Sequence, residues 1–135
     1  MLTAALWRMP LVPATKPAPE DAHGRDHFRQ DHHREIPADI VFEDEHVLAF
    51  RDIAPQAPVH VLFVPKRAFR SLDQVPDSEA QLLGRLMLAA AAYARREGFA
   101  EQGYRVLVNT NADGGQTVFH IHLHLLAGRA LHGFG

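Results

Sequence analysis

Short apolar stretches recur along the chain from residue 35 onward, and in residues 119–125 apolar residues alternate strictly with histidines. Such alternation is typical of half-buried β-strands, and acidic, glycine and proline residues separate the stretches. The segments that predict strands are residues 38–53, read as two strands around a turn at Glu43–Glu45, and then residues 59–66, 103–110 and 118–126. The pattern therefore predicts about five short strands.

One segment, residues 76–99, has the longer period of an amphipathic helix. Asp77 is its predicted N-cap, and Gly98 predicts its end. The residues at helical spacing are Leu82, Leu83, Leu86, Ala90 and Tyr93. Because most strands follow one another directly along the chain, we expect an α+β fold: an antiparallel meander sheet of about five strands with one long helix.

The first 33 residues show neither period. Residues 10–19 hold four of the nine prolines, and a polar stretch that follows holds four of the ten histidines. These histidines are His23, His27, His32 and His33. No regular element would hold them in a metal-binding geometry, so we interpret residues 1–33 as an irregular or disordered segment and residues 34–135 as one folded domain.

Composition narrows the class of protein. The chain has 135 residues, a formal net charge of −2 and no cysteine. A disulfide framework is therefore excluded, and a surface that binds nucleic acid is not expected. No apolar run approaches the roughly 18 residues of a membrane-spanning helix. We expect a cytoplasmic protein that associates with neither nucleic acid nor membranes.

Three histidines occupy alternate positions of the last predicted strand. Alternate residues of a strand share one face, so His120, His122 and His124 would line one side of the sheet. The core on the other side would receive Phe119, Ile121, Leu123 and Leu125. Three interpretations compete: a solvated strand face, a metal site, and nucleophilic catalysis by a neutral imidazole, whose unperturbed pKa is about 6.5.

A glycine-rich loop, residues 111–116, precedes the histidines. Glycine allows backbone N–H groups to approach a phosphate, and the side chains of Gln116 and Thr117 offer further donors. A plain hairpin loop would explain Gly114 and Gly115 alone. Next to three histidines, the loop favours an anion site and hence phosphoryl-transfer chemistry.

The stretch "HIHLHLL", residues 120–126, resembles the signature of the histidine-triad (HIT) superfamily of nucleotide hydrolases and transferases. The surrounding sequence looks like one branch of this superfamily, the histidine-triad nucleotide-binding proteins or purine nucleoside phosphoramidases. The matching segments are residues 35–66, 82–87 and 103–129. The resemblance thus covers nearly all of residues 35–129 and implies a HIT-like fold.

Residue by residue, the resemblance implies a role for each part of the site. His122 would attack the α-phosphorus, His124 would contact the phosphate, and His120 would complete the triad. His60 would support the triad from the adjacent strand, and Asp52 would hold the ribose hydroxyls. The implied nucleotide-binding residues are Phe50, Asp52, Ile53, Asn109, Gly115, Gln116 and Thr117.

The resemblance also implies an activity and an assembly. The expected enzyme is a hydrolase that cleaves the P–N bond of purine nucleoside phosphoramidates, or related nucleotidyl substrates, through a nucleotidyl-histidine. It would bind purine nucleotides such as AMP or GMP, need no metal or other cofactor, and form a homodimer in which the two sheets join. The alternatives are a nucleotide-binding regulatory module with incidental catalysis, a diadenosine polyphosphate hydrolase, and a histidine-based metal-binding protein.

The segment just before residue 35 departs from the family. Relatives usually have an apolar segment similar to "TIFGKIIT" before "REIPAD", whereas this chain has Asp31 and His32 at positions where isoleucines are expected. With GC-rich codons, residues 23–33 can be encoded by a string whose next reading frame translates as "MAETIFGKII". We therefore hypothesise that residues 1–32 or so are translated out of frame, which would leave the base pocket incomplete. Resequencing the locus tests this, since one intact frame through Arg34 contradicts it.

Overall fold

The computed structural model describes residues 12–13 and 39–134. The predictions for residues 1–33, an irregular segment and an out-of-frame origin, lie outside the described residues except at Val12–Pro13. The elements are β1 (Val12–Pro13), β2 (Ile40–Glu43), β3 (Val47–Arg51), β4 (Val59–Pro65), β5 (Arg67–Ala68), 3₁₀ turns at Leu72–Gln74 and Asp77–Glu79, α1 (Ala80–Glu97), β6 (Tyr104–Leu107) and β7 (Leu123–Ala127).

Five strands form one antiparallel sheet in the order β2-β3-β4-β7-β6, and β1 pairs in parallel with β5 beside it. The predicted five-stranded antiparallel sheet with one long helix is confirmed. Only β2, β3 and β4 form a meander. After α1 the chain forms β6 at the far edge of the sheet, and β7 then lies between β4 and β6. As a result β7, the strand of His124, is bonded on both sides.

The helix α1 covers one face of the sheet. Its apolar side chains pack with alternate residues of β3, β4 and β7, as in the edge-on contact of Tyr93 with Phe63, whose ring centroids are 5.9 Å apart. Gly98 ends α1 in the left-handed conformation, as predicted. The predicted N-cap at Asp77 is wrong. A 3₁₀ turn starts there, and the helix begins three residues later, after Glu79, without a side-chain cap.

The site lies on the face of the sheet opposite α1. Because Leu123 and Leu125 pack toward α1, the alternation of β7 turns His124 to the other face. The strand registers place His124 opposite Leu62, and Leu62 opposite Phe50, both of which are fully buried. This apolar row supports the imidazoles from the side of β3 and β4. Within the part of the chain that the structure describes, no helix is both long and apolar enough to cross a membrane.

Candidate active site

The predicted fifth strand is shorter than expected, and this changes how the histidines are held. β7 begins at Leu123, so His120 and His122 precede the strand rather than lie in it. Two features end the ladder here. Pro65, at the end of β4, has no N–H to donate, and the N–H of Ile121 donates to the Phe69 carbonyl at 2.7 Å. His120 and His122 are therefore placed by contacts other than the β4–β7 strand pairing.

The predicted apolar face of this segment is correct for three residues of four. Ile121, Leu123 and Leu125 are buried, but Phe119 is 45% exposed, so its prediction as a core residue is wrong. Phe119 lies before the ladder starts, where the alternation of a strand no longer orients side chains. The Arg70 guanidinium instead stacks over its ring, 4.4 Å from the centroid.

Long-range strand pairing brings His60 and Asp52 to the triad. Asp52 follows β3, and its N–H donates to the His60 carbonyl at 2.9 Å, which keeps the two residues side by side. His60 is on β4, the neighbour of β7, and its Nε2 atom lies 2.9 Å from the Nδ1 atom of His124. The predicted placement of His60 on the strand adjacent to the triad is confirmed.

The hydrogen bonds of His60 determine which of its nitrogens carries hydrogen. The backbone N–H of Gln56 donates to Nδ1 at 3.0 Å, so that nitrogen is an acceptor and the hydrogen of a neutral ring is on Nε2. This Nε2–H faces both Nδ1 of His124 and, at 3.4 Å, Oδ2 of Asp52. Nothing in the sequence marks Gln56 for this role, because the contribution comes from its backbone.

The hydrogen on His60 determines the tautomer of His124. Since Nδ1 of His124 accepts from His60, a neutral His124 carries its hydrogen on Nε2. That Nε2 atom is buried and has no hydrogen-bond partner among the described residues. A buried donor without an acceptor is costly, so this N–H suits an anionic group that enters the site.

The opposite tautomer is imposed on His122. Its Nδ1 lies 2.8 Å from the backbone carbonyl of His120, which only accepts, so Nδ1 carries the hydrogen and Nε2 carries the lone pair. The rings of His122 and His124 are 5.0 Å apart. The two neighbouring imidazoles therefore differ in function: His122 presents a basic nitrogen, and His124 presents an N–H.

Burial keeps all four imidazoles neutral near pH 7. The pKa of His120 and that of His124 are both lowered to about 4, mainly by burial and, for His124, also by the neighbouring His122 and His60. Burial also lowers the pKa of His122, although the His120 carbonyl and Asp52 oppose the shift. It lowers the pKa of His60 against the opposing charge of Asp52. A neutral imidazole is the nucleophilic form.

The predicted nucleotide-binding residues border this cluster on two sides. Phe50 is buried, Asp52 accepts the Ala54 N–H at 2.8 Å through Oδ1, and Ile53 is 56% exposed. On the other side, Asn109 follows β6 by two residues and is half-buried. The described structure thus has Phe50, Asp52 and Ile53 on the β3 side of the histidines and Asn109 on the β6 side.

The glycine-rich loop is a compact turn. Asn111 and Gly115 both adopt left-handed backbone conformations, with φ of 62° and 87°. The N–H groups of Gly115 and Gln116 donate to carbonyls inside the loop, and Thr117 is exposed. The Gln116 side chain is buried and donates both amide hydrogens to backbone carbonyls, those of Arg70 at 2.9 Å and Val118 at 3.1 Å.

A metal site is the alternative that the cluster must be tested against. Asp52, His60 and His124 each offer a ligand atom, and these atoms lie within 4.8 Å of one another. A metal would need a lone pair on Nε2 of His60, but Nδ1 of that ring accepts the Gln56 N–H, which places the hydrogen on Nε2. Metal-bound histidines instead donate through their second nitrogen. The hydrogen-bond directions therefore disfavour metal binding here.

Comparison with known proteins gives the class to which this fold and cluster belong. A family model described as "HIT domain" matches residues 33–131. The chain belongs to the HIT domain family, as its resemblance to the histidine-triad superfamily predicted.

Two curated relatives lie within this family. Over 98 residues the chain is 53% identical to a protein of Escherichia coli (strain K12) named purine nucleoside phosphoramidase, a match that covers 73% of this chain and 82% of that protein. It is 55% identical over 98 residues to an uncharacterised HIT-like protein of Synechococcus elongatus, covering 73% of this chain and 85% of that protein.

Solved structures agree in fold. A HIT family hydrolase from Legionella pneumophila superposes with a TM-score of 0.69 at 50% identity, over 70% of this chain and 85% of that chain. A histidine triad protein from Clostridium difficile superposes with a TM-score of 0.72 at 42% identity, over 75% of this chain and 88% of that chain. The predicted HIT-like fold is confirmed, and the names of these relatives support the predicted hydrolase class.

Proposed function

We propose that this protein is a hydrolase that cleaves the P–N bond of purine nucleoside phosphoramidates through a nucleotidyl-histidine intermediate on His122. The observation that carries the proposal is the opposite tautomers of His122 and His124. One ring offers a lone pair to an electrophile, and its neighbour offers an N–H to the oxygen beside that electrophile. The name of the 53% identical relative supports the choice of substrate.

The first step forms a bond to His122. Its Nε2 lone pair attacks the α-phosphorus, the P–N bond breaks, and the departing nitrogen takes a proton from solvent and leaves as an amine. The imidazole becomes a cation that keeps its hydrogen on Nδ1. The His120 carbonyl, 2.8 Å away, accepts a stronger hydrogen bond from that cation than from the neutral ring, so it stabilises the intermediate.

The second step restores the enzyme. Water attacks the phosphorus of the nucleotidyl-histidine, its proton passes to solvent, and the bond to Nε2 of His122 breaks to release the nucleoside monophosphate. The Nε2–H of His124 donates to a phosphate oxygen in both steps, with its tautomer held by His60. The chain's own residues supply all of these roles without a metal or other cofactor.

The nucleotide itself would lie along the rim of the cluster. Asp52 retains lone pairs to accept the ribose hydroxyls, and Ile53 and Phe50 would contact the sugar and purine. Asn109, on the β6 side, would contact the ribose–phosphate. Gly115 and Thr117, in and after the glycine-rich loop, would lie beside the phosphate.

We also propose that the domain, residues 34–135, works as a homodimer. β6 is an edge strand, so one row of its backbone groups is available to pair with a second sheet. The helix α1 contacts β6, and both elements carry exposed apolar side chains, with Leu88 at 70% and Met87 at 50% on α1 and Tyr104 at 36% on β6. Joining two sheets at this edge would cover them.

The test of the activity is turnover of an adenosine phosphoramidate by the parent, by His122→Ala and by a matched control, His46→Ala. His46 lies in the turn between β2 and β3, and its Nε2 atom is 3.8 Å from Oε1 of Glu45, so its side chain is not part of the proposed site. The parent and the control should turn over alike, and His122→Ala should lose roughly 10³-fold or more of kcat. Trapping of a labelled nucleotide on the parent alone would support the covalent step.

The remaining alternatives give different results in the same assay. A regulatory module would bind AMP without turnover, and a diadenosine polyphosphate hydrolase would prefer the dinucleotide in side-by-side rates. Equal turnover by parent and His122→Ala would refute His122 as the nucleophile.

A further inference from the structure

The segment that delivers His122 is held by a turn rather than by the sheet. β7 starts at Leu123, and the residues before it contact residues 65–70, the segment that runs from the last residue of β4 through β5 and is named here the 65–70 turn. Three hydrogen bonds join the two. They are His120 Nε2 to the Pro65 carbonyl at 3.1 Å, Ile121 N–H to the Phe69 carbonyl at 2.7 Å, and Gln116 Nε2 to the Arg70 carbonyl at 2.9 Å.

The Gln116 side chain makes hydrogen bonds to three segments of the chain. It accepts the Asn111 N–H at 2.8 Å and donates to the carbonyls of Arg70 and Val118. One amide therefore joins the glycine-rich loop, the 65–70 turn and the stretch that leads to His120. With an exposure of 5% and both hydrogens donated, this amide has no hydrogen left to give to a phosphate.

We propose that Gln116 is a positioning residue for His122 rather than a phosphate ligand; this inference rests on the proposed function. Its bonds to Arg70 and Val118 fix the path of the chain into His120, whose carbonyl in turn orients the His122 ring. A small displacement of Nε2 from the phosphorus lowers the rate steeply, because attack needs a narrow range of distance and angle. Loss of the amide should therefore lower kcat and spare nucleotide affinity.

The remaining contacts allow the amide to be removed without loss of the fold. The glycine-rich loop keeps its backbone bonds from Gly115 and Gln116 to carbonyls inside the loop. The bond from Ile121 to Phe69 and the apolar packing of those two residues also persist. A variant at Gln116 should thus change the alignment of the segment more than the global structure.

The first experiment uses Gln116→Met, which keeps the length of the side chain and removes its hydrogen bonds. Gln102→Met, at an exposed position between α1 and β6, is the matched control. We expect kcat on an adenosine phosphoramidate to fall about 10- to 100-fold in Gln116→Met, with AMP affinity within twofold of the parent and no change in the control. A tenfold or greater loss of AMP affinity, or an unchanged kcat, would overturn the proposal.

A second variant, Gln116→Glu, adds a pH readout. A protonated carboxyl still accepts from Asn111 and donates to one carbonyl, whereas a carboxylate would face the Arg70 and Val118 carbonyls with no hydrogen to donate. Burial opposes ionisation, so kcat of this variant should be near the parent value at pH 5 and fall toward pH 8. If kcat of the variant and of the parent keep the same ratio over this range, the bonds to the carbonyls do not position His122.

A third readout does not depend on turnover. In ¹⁵N NMR spectra of histidine-labelled protein, His122 should show a single Nδ1–H tautomer in the parent and in Gln102→Met, and averaged or broadened signals in Gln116→Met. Unchanged His122 signals in Gln116→Met would overturn the proposal even in an active enzyme. A shift in those signals without any turnover by the parent would support the positioning role and refute the proposed function, so the two failures are distinguishable.

Discussion

His60 and His124 lie 64 residues apart in sequence, yet Nε2 of one is 2.9 Å from Nδ1 of the other. The Gln56 N–H on the far side of His60 gives this contact a direction, so that the hydrogen of His124 is on the nitrogen that faces the site. The backbone N–H of Gln56, acting through His60, therefore determines which nitrogen of His124 carries the hydrogen that is proposed to bind a phosphate.

The variant His60→Ala tests whether His60 sets the tautomer of His124. In His60→Ala, Nδ1 of His124 loses its donor, and the ring is free to change tautomer or rotate. We expect kcat to fall about 10- to 100-fold with a smaller change in KM, measured on an adenosine phosphoramidate. His46→Ala serves again as the control. A kcat within twofold of the parent would show that His124 is oriented without His60.

The lowered pKa values of His122 and His124 predict that activity persists to a lower pH than it would with unperturbed histidines, whose pKa is about 6.5. The proposed mechanism needs neutral His122 and His124, and burial lowers the pKa of both rings, to about 4 for His124. The neutral forms therefore persist as pH falls below 6.5, and kcat/KM should begin its decline below that value. The measurement is a pH–rate profile with non-enzymatic hydrolysis subtracted. An acid limb with its midpoint at 6.5 or above would contradict the buried environment.

His120 should make folding stability depend on pH in the acid range. Its folded pKa of about 4 lies below the unfolded value of 6.5, so its contribution is fully present above pH 6.5 and is lost as pH falls toward 4. The loss attributable to this ring is on the order of 3 kcal/mol. Denaturant melts between pH 7 and 4 should show it, and a shallower dependence is expected in His120→Gln, which does not titrate. Identical slopes would assign the acid sensitivity to other groups.

Position 128, just after β7, requires glycine because its backbone is left-handed and because Pro58 leaves no space for a Cβ. Its φ is +102°, and a Cβ there would lie 2.7 Å from Cβ of Pro58, in the loop between Asp52 and His60. Gly128→Ala should destabilise the fold by about 1–3 kcal/mol, seen as a lower Tm, and raise KM for nucleotide by displacing that loop. Gly84→Ala on α1, where a Cβ meets nothing within 4 Å, is the control and should not lower Tm.

The proposed homodimer makes a prediction about the exposed face of α1. Leu88→Glu places a charge where apolar surface would be buried, so it should convert a dimer into a monomer by light scattering after gel filtration. Gln74→Glu adds the same charge at an exposed position of the 3₁₀ turn Leu72–Gln74, which belongs to neither α1 nor β6, and should leave the dimer intact. A parent protein that is monomeric at micromolar concentration would refute the assembly.

Much of the fold was predictable because local periods are set by neighbouring residues. The short apolar runs of β3 and β4 and the alternation that leads into β7 identified these strands, and the helical spacing with Gly98 identified α1 and its end. The wrong predictions concern residues whose structure is not determined by their neighbours in sequence. Phe119 lies before the ladder begins, and Asp77 opens a 3₁₀ turn rather than capping a helix. The interior position of β7 depends on pairing with β4 and β6, which no local pattern encodes.

For the site, the sequence by itself determined which residues are present and which chemistry they allow. Three alternating histidines and a glycine-rich loop already favoured imidazole chemistry on a phosphate, and the family resemblance added His60 to this set. The tertiary structure alone decided how they differ from one another. A tautomer is set by the partner of each ring nitrogen, and those partners are the Gln56 N–H, the His120 carbonyl and a histidine 64 residues away. Since such partners meet only in the folded chain, the division of roles between His122 and His124 is a property of the fold.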